Sequence, residues 1–285
     1  MKINSTQFLY KTLIILLVSS LFSCSTEYLV HKSFKRKNDY NLLIIPNNTV
    51  LKTNGKIKEL YPNFAQLPED LQDTIWNAQT VFLDANSDSV LIQRIYSSLF
   101  DKLQNTNLKT YTANRESEFP YSAENSYILR VAQLELEEDV SQIPFIYPLN
   151  EFEELYKEVE INTLALNIWL EVSKANSQDK ALILYAQKTI GDKINGRFYQ
   201  AFNGEYKFEY SKTEIAEESA LLLAQQSGYA FAQYIYDYFL NKYEVEILKP
   251  RNPSQRYFGY TIETPSFMNL YYPDENQRLI EIKTK

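Results

Sequence analysis

Leu164, Leu166, Ile168, Leu170 and Val172 alternate with Ala165, Asn167, Trp169 and Glu171. No other stretch limits the fold so tightly. A period of two over nine residues puts five large aliphatic side chains on one face of a strand. That face must be covered by another layer. Two more strands follow the same logic. Asn125 to Glu138 alternates through Tyr127, Leu129 and Val131, then continues in the opposite phase at Leu134 and Leu136. The slip near Ala132-Gln133 predicts a β-bulge. Ala181 to Ile190 alternates again after a turn at Asn176 to Asp179. Arg197 to Phe202 and Tyr206 to Tyr210 flank Asn203-Gly204, a strong turn pair, and extend the series into an antiparallel meander.

The covering layer is predicted from helical spacing. Val90, Ile95, Leu99 and Leu103 mark a helix from Asp88 to about Asn105, with Leu91 and Ile92 widening the stripe. A preceding strand at Thr80 to Asp84 and a following one at Leu108 to Thr112 make a strand–helix–strand unit, which normally places its strands parallel. A long helix is expected from Lys212 to Asn241. Ser211 to Glu214 reads as its capping box, and Ala216, Ala220, Leu223, Ser227, Phe231, Ile235 and Tyr238 form its stripe. The small first half suits close packing on a sheet, and Gly228 predicts a kink or a close contact. Leu42 to Pro46 reads as a short buried strand, Thr49 to Lys58 as a hairpin around Asn54-Gly55, and Pro68 to Trp76 as a helix. The expected class is α/β in the α+β sense: a mixed β-sheet of roughly six to eight strands, with a strand–helix–strand unit, an antiparallel meander and a long C-terminal helix.

The start of the chain concerns location. Lys2 and Lys11 precede an apolar run, Thr12 to Phe22, broken only by Ser19 and Ser20. This is the layout of a secretory signal. The run is short of the ~20 residues that a membrane-spanning helix needs. Leu21, Ser23 and Cys24 resemble the lipobox of bacterial lipoproteins, from which Phe22 departs where a small residue is preferred. The resemblance implies that the Cys24 thiol takes a diacylglycerol, that residues 1–23 are removed, and that the new amino terminus is acylated. Two or more acyl chains such as palmitate anchor stably where one does not. Ser25, rather than aspartate, after the cysteine favours the outer membrane in the best-known sorting rule. Residues 24–40 then read as a tether, whose His31, Lys32, Lys35, Arg36 and Lys37 either rest on anionic head groups or are simply solvated. Residues 41–248 read as a single body and 249–285 as an extended carboxyl-terminal segment.

Composition excludes several chemistries. Without the signal, 27 basic residues face 36 acidic ones, a balance that argues against a nucleic-acid partner. Cys24 is the sole cysteine and His31 the sole histidine. Disulfides, zinc sites of cysteine and histidine, and Ser-His-Asp or Cys-His catalysis all lack their residues in the body. No cofactor is implied.

Four stretches invite a functional reading. Asp84 to Asp88 starts like a calcium loop but has Ser89 and Ile95 where glycine and glutamate are required. It also resembles the nucleophile motif of haloacid-dehalogenase-type phosphatases, with Asn86 in place of the second aspartate. A turn capping the next helix explains it better. Gly191 to Gly196 has phosphate-loop glycine spacing, but Arg197-Phe198 replaces the lysine and hydroxyl, and a hairpin turn is expected. Glu135, Glu137, Glu138, Glu151 and Glu153 could supply the paired carboxylates of a hydrolase if two of them met in a pocket. Finally, Arg256, Tyr257, Phe258, Tyr260, Tyr271 and Tyr272, spaced among prolines, have the composition of binding hot spots.

The element order and lipobox resemble envelope lipoproteins grouped with curli-secretion lipoproteins, the amino-terminal domain of the Tol-system β-propeller protein and the outer-membrane activators of peptidoglycan synthases, over about Asn41 to Lys242. That resemblance implies a non-enzymatic adaptor or assembly factor, anchored in the outer membrane, facing the periplasm and binding another envelope protein. The alternative is a lipid-anchored hydrolase of cell-wall material that works through carboxylates.

Overall fold

The computed structural model describes residues 26–37, 40–216, 218–248, 256–262 and 270–283. The signal and Cys24 lie outside the described residues. The fold is α+β, built on a seven-stranded mixed sheet. Its strands are β1 (Asn41–Ile45), β2 (Leu51–Asn54), β3 (Lys109–Thr112), β4 (Ser126–Pro148), β5 (Glu154–Lys174), β6 (Leu182–Gly191) and, beyond the two strands of a separate hairpin, β9 (Ile280–Glu281). The order is β9-β6-β5-β4-β1-β3, with β2 also on β4. β4, β5 and β6 form an antiparallel meander, but the strands expected at 197–202 and 206–210 do not extend it and pair apart from this sheet. β1 runs parallel to both β3 and β4.

The bulge falls between Val131 and Gln133, as the phase slip predicts. It divides the edge of β4 between two short parallel partners. β1 pairs with Ser126 to Arg130, and β2 with Glu135 to Glu138. Asn47, in the gap between them, donates from Nδ2 to the Ala132 carbonyl at 3.0 Å.

Helices α1 (Thr26–Arg36), α4 (Asp88–Leu103) and α5 (Ser219–Tyr243) cover the apolar face. Smaller helices α2 (Gly55–Leu60) and α3 (Glu69–Gln79) close the side where β2 ends. Leu164, Leu166, Ile168, Leu170 and Val172 are all buried. Ala220, Leu223, Ser227, Phe231 and Ile235 of α5 are buried opposite. The small half of this stripe brings α5 against helix α4, where Gly228 meets the Ile95 carbonyl. Among the described residues no helix is long and apolar enough to cross a membrane.

Several local expectations are corrected. Asn54-Gly55 turns no hairpin. Residues 51–54 pair in parallel with β4, and Asn54 Oδ1 accepts the Ile57 N–H at 3.2 Å as the cap of α2. Thr80 to Asp84 is not a strand, because Glu138 takes the N–H groups of Val81 and Phe82. The strand–helix–strand unit survives with β1 as its first strand. The long helix begins at Ser219, not Lys212, because residues 206–213 form strand β8. Gly191 to Gly196 is no hairpin turn. The chain leaves the sheet at Asp192 and continues straight into strand β7 (Lys193–Gln200), which pairs only with β8 (Tyr206–Thr213).

The largest correction concerns the tether. Residues 26–36 form α1, with Val30 and Phe34 in the core. Phe34 packs on Tyr40, Tyr236 and Tyr243, while Ser33 Oγ and Tyr243 Oη lie 2.7 Å apart. His31 stacks on Tyr260 at 3.8 Å between ring centres. The folded body therefore contains the imidazole after all.

Candidate functional site: a paired-hairpin arm

β4 and β5 outrun their sheet. β2 stops at Glu138 and β6 stops opposite Thr163, yet the β4–β5 ladder continues to Pro148 and Glu154. Ten residues of β4 beyond β2, at ~3.3 Å each, make an arm about 33 Å long. Pro144 and Pro148 lie in this arm. They are four apart, so both turn the side lacking an N–H toward the same unpaired edge, where proline is tolerated.

The β7–β8 hairpin lies along this arm. Phe145 packs on Phe208 at 5.1 Å, and Tyr147 on Phe198 and Tyr206 at 6.3 and 6.2 Å. These contacts advance together along both hairpins, so the two tips lie at the same end. Asp192 fixes the base. It is buried, pairs with Lys212 at 2.9 Å, and accepts the N–H groups of Asn162 and Ile215 at 2.8 and 2.9 Å. Burial alone would raise this carboxyl, but the two N–H groups and the ammonium hold it below the usual range.

Each tip presents a phenylalanine to solvent. Phe152 is 93% exposed and Phe202 fully so. Both turns are braced by an asparagine–glutamate pair. Asn150 Nδ2 donates to Glu153 at 2.9 Å and its Oδ1 accepts the Phe152 N–H at 2.8 Å. Asn203 Nδ2 donates to Glu205 at 2.6 Å and its Oδ1 accepts the Glu205 N–H at 3.2 Å. Gly204, at φ 84°, completes the second turn as Asn203-Gly204 predicts.

The carboxyl-terminal aromatics fall elsewhere. Phe258 is 0% and Tyr260 2% exposed, so both belong to the core and offer no surface to a partner. Their backbone is held by a side-chain ladder on α5. Asn241 bonds both the N–H and the carbonyl of Phe258, at 3.3 and 2.7 Å. Asp237 accepts the Tyr260 N–H at 3.0 Å. Gln233 donates to the Tyr260 carbonyl at 2.8 Å and accepts from Ile262 at 3.1 Å. Four helical residues rise ~6 Å and two extended residues ~6.6 Å, so the spacings match and α5 acts as a strand partner. Tyr271 donates its hydroxyl to Asp237. Burial pushes the Asp237 carboxyl up to about 7, against the pull of these two donors and of the Gln233 amide, which also donates to it at 3.1 Å. Tyr257 is half-buried beneath Arg278, and only Arg256 and Tyr272 of the predicted set are exposed.

The five hydrolase candidates fall in three separate places. Glu138 is sealed under α2 and bonded to Lys56, while Glu151 and Glu153 stand at the arm tip. Glu135 and Glu137 share the open sheet face, held by Thr53 and Asn167 at 2.8 and 3.3 Å. In the Asp84–Asp88 loop, Asp84 accepts the Trp76 indole N–H and Asp88 the Val50 N–H, so both serve the fold. The turn reading holds, although Ser87 at the cap of α4 makes no side-chain bond to a helix N–H and instead pairs its Oγ with Ser89 Oγ at 3.1 Å. No three metal-ligating side chains cluster among the described residues.

Composition alone did not reveal the arm. Phe152 sits in Glu-Phe-Glu-Glu, which reads as a solvated acidic loop. The available signal was a phenylalanine beside an Asn and a Glu in each of two turns, Asn150-Glu151-Phe152-Glu153 and Phe202-Asn203-Gly204-Glu205.

No protein-family model matches the chain, and no curated protein does. Among solved structures it is similar to a homologue of neuraminyllactose-binding hemagglutinin from Helicobacter pylori. The identity is 12%, the TM-score 0.31, and the match covers 75% of this chain and 92% of that one. A likeness at that level bears on neither the activity nor the ligand of this chain.

Proposed function

We propose that this protein is a non-enzymatic adaptor of the cell envelope, anchored in the outer membrane through acylated Cys24, facing the periplasm, and binding another envelope protein through its arm. The arm carries this reading. A rigid, aromatic-tipped extension that supports no packing of the body needs an external explanation, and exposed aromatics of this kind mark interaction sites. The position of α1 adds to it. α1 begins two residues past Cys24 and packs where β1 and β4 start, by Tyr40 and Tyr127, whereas the arm leaves from the other end of β4. A lipid on Cys24 would hold the body close to the bilayer while the arm reaches away from it.

Cys24→Ala is expected to move the protein from the membrane fraction to the soluble fraction with its thermal stability unchanged. Wild-type protein solubilised from membranes is expected to bring down one envelope protein reproducibly. Retention of Cys24→Ala in membranes would remove the anchor, and absence of any co-purifying envelope protein would remove the adaptor.

A further inference from the structure

Resting on that adaptor reading, we infer that the two hairpin tips form a two-pronged docking surface for a protein that offers an apolar pocket rimmed by lysine and arginine. Three observations carry this. Phe152 and Phe202 stand at the same end of the arm with their rings in solvent. Their turns are fixed by the Asn150–Glu153 and Asn203–Glu205 bonds, so little conformational freedom is lost on binding. Within residues 149–158 and 200–207, five carboxylates face only two ammonium groups.

The charge selects among occupants. An anionic bilayer would repel Glu151, Glu153 and Glu154 as Phe152 approached it. A second copy of this chain would bring the same acidic rim, and like charges across an interface are strongly unfavourable. A cationic rim around an apolar pocket answers both features of the tip. Aromatic anchors seated in such pockets commonly dominate binding.

The test places p-benzoylphenylalanine at position 152 or 202 of the lipidated full chain, irradiated in membranes of cells that make it naturally. Both positions should give an adduct with the same protein, mapped to a surface bearing lysine and arginine. Glu151→Lys with Glu154→Lys should lower adduct yield about tenfold or more, with the melting temperature unchanged. A probe at exposed Leu60 should give no such adduct. In parallel, the Cys24→Ala chain should not float with phosphatidylcholine vesicles, with or without phosphatidylglycerol. Adducts with lipid or with a second copy, no adduct at either tip, flotation that depends on Phe152, or indifference to charge reversal would each overturn the inference. If the co-purifying protein instead crosslinks near Tyr272, the adaptor reading stands and this one fails. If nothing co-purifies, both fail.

Discussion

Glu138→Ala is expected to destabilise the protein by about 3–5 kcal/mol, the usual result of removing one member of a buried ion pair. Glu138 is 0% exposed. It receives Lys56 Nζ at 3.0 Å, the Val81 N–H at 3.1 Å and the Phe82 N–H at 2.9 Å. Alanine leaves the Lys56 ammonium with only the Asn162 Oδ1 at 3.3 Å and takes the acceptor from the buried Phe82 N–H and the partly buried Val81 N–H. Glu138→Gln keeps the shape and one acceptor oxygen, and should cost less than alanine. Urea unfolding reads both. Because a domain's total stability is commonly ~5–15 kcal/mol, the alanine variant should show a large drop in its midpoint. A change under about 1 kcal/mol would mean that Glu138 is not the clasp between β4, α2 and the 80–84 turn.

Gly228→Leu is expected to cost at least about 3 kcal/mol, at the upper end for overpacked cores. A Cβ at this position would stand 2.3 Å from the Ile95 carbonyl oxygen, 2.8 Å from Ser98 Cβ and 3.0 Å from the Leu99 nitrogen. Two of those atoms are backbone, so relief requires parting α4 from α5. Gly228→Ala should also destabilise. Ordinarily alanine gains ~1 kcal/mol over glycine inside a helix, so the sign itself is diagnostic. Thermal unfolding of the two variants beside wild type measures this. Stabilisation by alanine would show that the helices do not approach so closely.

The readable parts of this fold were those with local signals. Alternation at Leu164 to Val172 fixes β5 and its buried face, and the phase change at Ala132-Gln133 fixes the bulge, because both are properties of one strand. The errors share a cause, which is competition from distant partners. Asn54-Gly55 favours a turn locally, yet β4 recruits residues 51–54 and the Asn54 side chain caps a helix instead. Thr80 to Asp84 has strand composition, yet its N–H groups belong to Glu138, more than fifty residues away. Val30 and Phe34 stand four apart in a run of cations, and the charges concealed a buried helical face. Phe258 and Tyr260 have hot-spot chemistry, but composition does not say whether an aromatic faces a partner or its own core.

The proposed direction of the arm, away from a lipid on Cys24, depends on α1 remaining on the body. His31 reports it, and as the single histidine it gives one unambiguous imidazole signal. Burial against Tyr236 and Tyr260, then the nearby Lys35 charge, lower its pKa from 6.5 to about 4. A depressed base contributes stability that is present above the unfolded pKa of 6.5 and lost as pH falls from there through about 4. Titration of the His31 imidazole by NMR in the folded chain should therefore give a midpoint near 4, with α1 protected from hydrogen exchange above pH 6.5. A midpoint near 6.5 with unprotected amides would show a free tether and contradict a body held at the membrane with its arm directed outward.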